Sequence, residues 1–212
     1  MKKINLLLWV AILIFGIITN ANADPIVNGG FETGNFKGWT ASGSNGGSAS
    51  VVKKTKGYDN TPYTAPEGKY FAKLKADAEI LQKNLSWQAG QSVDFSWAFL
   101  AEDYIPYNDF AIFTIDGVNE NYTVKLSNVS QVGNYGDTGW KTYSYLFTSN
   151  DSGFISFGSK NVLDQNLDSV LLVDNVQISG SSTPVPEPTT VVLLGLAMIG
   201  VAMVSKRVKN IA

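Results

Sequence analysis

Ser92-Val93-Asp94-Phe95-Ser96-Trp97-Ala98-Phe99-Leu100 decides the fold. Val93, Phe95, Trp97 and Phe99 alternate with Ser92, Asp94, Ser96 and Ala98. That period of two sends one side of an extended chain into a core. The same period recurs in both directions from this stretch. Tyr143, Tyr145 and Phe147 alternate with Ser144 and Leu146, and further strands are predicted over 48–52, 69–74, 79–85, 110–115, 122–126, 154–158 and 170–178. Asp116-Gly117 after Ile115 is a hairpin signal. No stretch of the middle carries helical apolar spacing for three turns. About nine or ten short strands with turn signals predict an all-β fold, an antiparallel β-sandwich of jelly-roll type.

Composition narrows the chemistry. The chain has 212 residues, 44% hydrophobic and 16% charged, with no cysteine and no histidine. Without Cys there are no disulfides, thiolate nucleophiles or Cys-held zinc. Without His the commonest general base and the usual hydrolase triads are gone. Any metal is then a hard cation held by oxygen.

The two ends differ from the middle. Lys2 and Lys3 precede an apolar run from Leu6 to Ile18, followed by Ala21-Asn22-Ala23. A basic start, a short apolar run and a small-x-small site make residues 1–23 a secretory signal peptide, with Asp24 as the new N-terminus. At the other end, Pro184-Val185-Pro186-Glu187-Pro188 closes a linker over 181–188. An apolar helix is expected over 189–205 and a basic cytoplasmic tail over 206–212. That helix is short for a membrane span; it is either processed or kept as a single-pass anchor. Outside these segments the chain has 11 basic and 17 acidic residues, a net charge near −6. An acidic domain of this kind repels nucleic acid and anionic lipid surfaces.

Pro186-Glu187-Pro188, the apolar helix and the Lys/Arg tail, in that order, resemble the PEP-CTERM sorting signal of exopolysaccharide-making Gram-negative bacteria. The resemblance implies export by signal peptidase, passage through the inner membrane, and removal of the tail by an exosortase-type protease. The destination it implies is the cell surface or extracellular matrix. Ala21 and Ala23, with Pro186, Glu187 and Pro188, are the processing residues.

The domain's own ends are Asn28-Gly29-Gly30-Phe31-Glu32 and Leu171-Leu172-Val173-Asp174-Asn175-Val176. They resemble the galactose-binding-like jelly rolls of carbohydrate-binding modules, in which the opening segment lies near the last strand. Asp174 shares strand parity with Leu172, Val176 and Ile178, so it faces the core unless a bulge intervenes. A buried carboxylate needs a partner. Two carboxylates brought together repel unless a cation joins them. The resemblance implies that Glu32 and Asp174 bind a structural Ca²⁺; ordinary capping or hydrogen bonding is the alternative.

Glu102, Asp103, Asn108 and Asp109 share one loop, which reads as solvated, as a second calcium site, or as a glycosidase pair. Tyr104, Tyr107 and Tyr135 stand in polar loops beside Asn108, Asp109 and Asn134. This set either stacks on and hydrogen-bonds neutral sugars or caps the sandwich edge. The sequence therefore reads as an exported, non-enzymatic, carbohydrate-associated protein, with exopolysaccharide as a partner. A structural or adhesion matrix protein, or a carboxylate-dependent glycoside hydrolase, is the alternative.

Overall fold

The computed structural model describes residues 26–164 and 166–180. The expected signal peptide, linker, apolar helix and tail, with Ala21, Ala23, Pro186, Glu187 and Pro188, lie outside the described residues. Among the described residues no helix is long and apolar enough to cross a membrane.

Among the described residues, ten strands and one helical turn follow in order: β1 Thr40–Val52, β2 Lys54–Lys56, β3 Pro62–Thr64, β4 Phe71–Trp87, β5 Ser92–Leu100, β6 Phe110–Gly117, β7 Asn121–Asn128, α1 Val129–Val132, β8 Lys141–Leu146, β9 Asp151–Lys160 and β10 Val170–Ser179. All pairings are antiparallel, in the order β7-β6-β9-β4-β10-β5-β8, with β1 on the free edge of β4. The stretches 69–74 and 79–85, read as two strands, are one. The first half of β4 pairs with β10 and the second half with β9. Ala76 at the break has φ +56°, which bends the strand and lets it pass from one sheet to the other.

Two layers result, hinged on β4. Phe95 of β5 meets Phe113 of β6 at 4.7 Å and Phe157 of β9 at 4.8 Å between ring centroids. The open side is closed by side chains: the Tyr122 and Tyr143 hydroxyls are 2.6 Å apart, and the Tyr122 and Tyr145 rings 4.4 Å. Val93, Phe95, Trp97 and Phe99 all enter the main core, as their alternation requires. Ala98 and Leu100, on the other face of β5, are buried too. They lie with Phe71, Val170 and Leu172 against Tyr63, which the β2–β3 hairpin supplies. The short, lysine-bearing sequence of that hairpin gave no strand signal. Glycine explains how Ser42–Ser50 becomes strand: a Cβ on Gly47 would sit 2.6 Å from the Asp77 backbone, so only glycine permits this closeness to β4.

Candidate functional site

The opening segment lies along β10, as the resemblance implies. Val176 N–H donates to Gly29 carbonyl at 3.0 Å. A Cβ on Gly29 would lie 1.8 Å from Val176 carbonyl oxygen. Asp174 does not share the side of Val176 and Ile178. A bulge between Asp174 and Gln177, with Asn175 at φ +51°, slips the register by one. Leu171 and Val173 face the main core before the bulge, and Val176 and Ile178 after it. Asp174 stays on the side of Leu172, and it is nonetheless fully buried, at 0% exposure.

Burial pushes the Asp174 carboxyl up to about 7; Glu32 and Glu67 add to the rise, and the Asn175 and Glu67 amides offset part of it. Oδ1 accepts from Asn175 N–H at 2.8 Å. Oδ2 is buried with no hydrogen-bond partner, a costly state for a carboxylate oxygen. Glu32 is exposed, and its Oε1 accepts from Lys69 and Tyr70 N–H at 2.8 and 2.9 Å. Those two backbone bonds hold its pKa below the ordinary range. Glu67 was not picked out from sequence, because its loop position gives no sign that it faces β10.

The loop tyrosines do meet, and a fourth joins them. Tyr135 stacks on Tyr58 with centroids 4.1 Å apart and planes 20° from parallel. Tyr104 follows at 5.8 Å from Tyr135, and Tyr107 at 5.3 Å from Tyr104. The row is stitched from three loops. Tyr135 N–H donates to Asp103 carbonyl at 2.9 Å and Ile105 N–H to Asn134 Oδ1 at 3.1 Å. Tyr58 sits in the β2–β3 turn, where Asp59 Oδ1 accepts Thr61 N–H at 2.8 Å. Tyr58 is 57% exposed. Tyr135 itself has φ +59°, the left-handed region that disfavours a large side chain.

The electrostatics of the row have one sign. Asp164 holds the Tyr107 hydroxyl above its ordinary pKa, with Tyr104 and Asp103 adding. Burial raises that of Tyr135, followed by Tyr58, Tyr104 and Asp103. The charged side chains acting on both hydroxyls are carboxylates.

The remaining predicted residues serve the scaffold. Asn108 Oδ1 accepts Ser130 N–H at 2.9 Å at the start of α1. Asn134 positions the Tyr104–Tyr107 loop through the bond to Ile105. Asp109 is 1% exposed, and its two oxygens accept Val162 and Ser169 N–H at 2.8 and 3.2 Å. Asp103 is also buried. Burial raises the pKa of both carboxyls.

Comparison with known proteins speaks first to the end of the chain. Residues 184–207 match the PEP-CTERM protein-sorting motif. The chain carries a PEP-CTERM signal. The motif implies export to the cell surface or extracellular space. No curated protein matches the chain in sequence. Among solved structures, the carbohydrate-binding module TmCBM61 in complex with β-1,4-galactotriose is 20% identical, with a TM-score of 0.47 over 74% of this chain and 99% of that one. The CBM22-1 xylan-binding domain of Paenibacillus barcinonensis Xyn10C is 15% identical, with a TM-score of 0.43 over 74% and 95%. The K3 cleaved adhesin domain of Lys-gingipain from Porphyromonas gingivalis is 12% identical, with a TM-score of 0.45 over 74% and 98%.

Proposed function

We propose that the protein is exported, processed at its PEP-CTERM signal, and then holds carbohydrate polymer through the tyrosine row without catalysing a reaction. The observation that carries this reading is Tyr135. Its backbone is held in a left-handed conformation that costs roughly 1–2 kcal/mol for a bulky residue, and its ring is not in the core. Strain kept at the surface points to a use for the ring. There Tyr135 joins Tyr58, Tyr104 and Tyr107 into one aromatic surface. Sugar rings offer apolar C–H faces to such a surface, and each contact contributes about 1 kcal/mol by analogy with other aromatic contacts. Several copies meeting one polymer then hold it firmly. The glycosidase alternative needs two carboxyls facing a cleft, whereas Asp109 is spent on backbone amides and Asp103 is buried.

The Ca²⁺ belongs to the same proposal. Glu32 and Asp174 would hold it, with Glu67 beside them, and the unpartnered Asp174 Oδ2 fits a hard cation. Among the described residues no group of three or more Asp, Glu, His or Cys is arranged for a metal. Backbone carbonyls of the opening segment would therefore supply further ligands. Bound there, the ion supplies positive charge that lets Asp174 stay ionised and ties the opening segment to β10.

Affinity electrophoresis tests the carbohydrate reading. The exported protein should be retarded in gels containing the producing strain's exopolysaccharide or neutral polysaccharides. Tyr104→Ala and Tyr107→Ala should run faster there and equally in plain gels. Equal mobility of all three proteins in every gel would leave a structural or adhesion role without a small ligand.

A further inference from the structure

The tripeptide Asn-Gly-Gly occurs twice, at 28–30 and at 45–47. Both asparagines have positive φ, +54° and +48°, so local conformation does not separate them. Their surroundings do. Asn28 is half-buried and Gly29 is buried. Asn28 Nδ2 donates to the Asn35 and Lys37 carbonyls at 2.9 and 3.3 Å, and its Oδ1 accepts Thr33 N–H at 3.2 Å. The main chain there is fixed as well, by Phe31 N–H on the Asn28 carbonyl at 3.0 Å and by Val176 packed on Gly29. Asn45 and Gly46, by contrast, are exposed. Among the described residues the Asn45 carboxamide makes one hydrogen bond, from Nδ2 to Asp77 Oδ2 at 3.2 Å. A Cβ on Gly46 would meet nothing within 4 Å. Register explains this openness. Ser44 pairs with Asp77 and Ser48 with Lys75, so Asn45, Gly46 and Gly47 stand opposite Ala76 alone.

From this we infer that Asn45 is a site of spontaneous deamidation and that the fold protects Asn28 from the same reaction. Glycine after asparagine leaves the next amide nitrogen unshielded by a side chain, so the carboxamide can close on it. The Gly46 nitrogen attacks Asn45 Cγ and gives up its proton. The Cγ–Nδ2 bond breaks, and Nδ2 leaves with that proton as ammonia. One water then opens the five-membered succinimide, at the side-chain carbonyl to give aspartate or at the main-chain carbonyl to give isoaspartate. Ring closure at Asn45 requires release of one side-chain hydrogen bond, whereas Asn28 must release three. Either product exchanges an N–H donor for a carboxylate beside Asp77. An attraction becomes a like-charge contact, at a residue whose Oδ1 also holds Asn161 N–H at 3.2 Å. The modification therefore loosens β1 from β4 next to the Ser44–Asp77 pair. The extra main-chain atom of isoaspartate falls in a bulge that already interrupts the register.

Incubation of the exported protein at mildly alkaline pH, followed by peptide mass mapping, tests the inference. The peptide holding Asn45 should convert to aspartate and isoaspartate with release of ammonia. Asn28 should react at least about tenfold more slowly, the scale of its two additional hydrogen bonds. In urea the two should react alike, since the same two glycines follow each. Asn45→Gln should leave that peptide unconverted, because the longer side chain must close a six-membered ring. Asn45→Asp should melt lower than the wild type, and raised salt should narrow the difference. Equal rates at Asn28 and Asn45 in the folded protein overturn the inference. So does a folded protein in which neither reacts while both react in urea. Asn45→Asp melting together with the wild type overturns the coupling to Asp77.

Discussion

Tyr135→Gly separates a ring kept for a ligand from a ring kept for packing. The residue has φ +59°, which glycine adopts freely. Replacing it relieves roughly 1–2 kcal/mol of backbone strain. Against that stand two lost ring contacts, Tyr58 at 4.1 Å and Tyr104 at 5.8 Å, each worth about 0.5–1.5 kcal/mol. The two effects largely offset each other, leaving a net destabilisation of no more than about 2 kcal/mol. For a protein of this size that lowers the melting temperature by about 4–8 °C at most. Binding has no such compensation. The central ring of the row is gone, and Tyr58, already 57% exposed, loses the neighbour that holds it. Affinity for the retarding polysaccharide should fall at least about tenfold, a little over 1 kcal/mol. Scanning calorimetry and affinity electrophoresis on the same samples read both numbers. A large drop in melting temperature with unchanged retardation would refute the reasoning and make Tyr135 a packing residue.

Three further outcomes follow from the structure. The protein should melt higher in millimolar Ca²⁺ than in chelator, by mass action on the native state, and Asp174→Ala should abolish the difference. An acid limb of unfolding should trace to Glu120: burial pushes its carboxyl up, but N–H and O–H donors from Thr148 and Tyr145 outweigh this and hold it below its usual value. Its contribution is present at neutral pH and lost as pH falls below about 4.5, so Glu120→Gln should melt lower at neutral pH and flatten that limb. Intact-mass measurement of the exported protein should give a chain that starts at Asp24 and ends near Thr189; a mass that includes Val191 to Val204 would mean a retained anchor.

The two sheets were legible because each apolar alternation is local. Val93 to Phe99 or Phe110 to Ile115 declare their inward side within a few residues. What could not be read depends on single residues that shift a register or on partners far along the chain. One extra residue at Asn175 reverses the side taken by Asp174 relative to Val176, and no composition rule marks it. Asn108 and Asp109 have the chemistry of ligand contacts, but hydrogen-bond capacity does not say who receives it, and Ser130, Val162 and Ser169 amides take theirs. Tyr58 was missed for a related reason. It becomes part of the row only because the β2–β3 hairpin folds over Leu100 and Leu172, and three-residue strands with lysines leave no period to detect.

Backbone strain is where sequence and site meet. Among the described residues, nine that are not glycine have positive φ. Five are asparagines, Asn28, Asn45, Asn60, Asn84 and Asn175, whose short polar side chains tolerate this region. Ala76 is small and stands at the bend of β4. Phe31 is fully buried, so the core offsets its strain. Only Tyr135 and Leu163 are large and poorly compensated by packing. They belong to loops separated in sequence, and of the two only Tyr135 joins the tyrosine row. Glycine or asparagine there would satisfy the backbone and remove the ring, so the proposed carbohydrate contact is what would give the strain at Tyr135 a use.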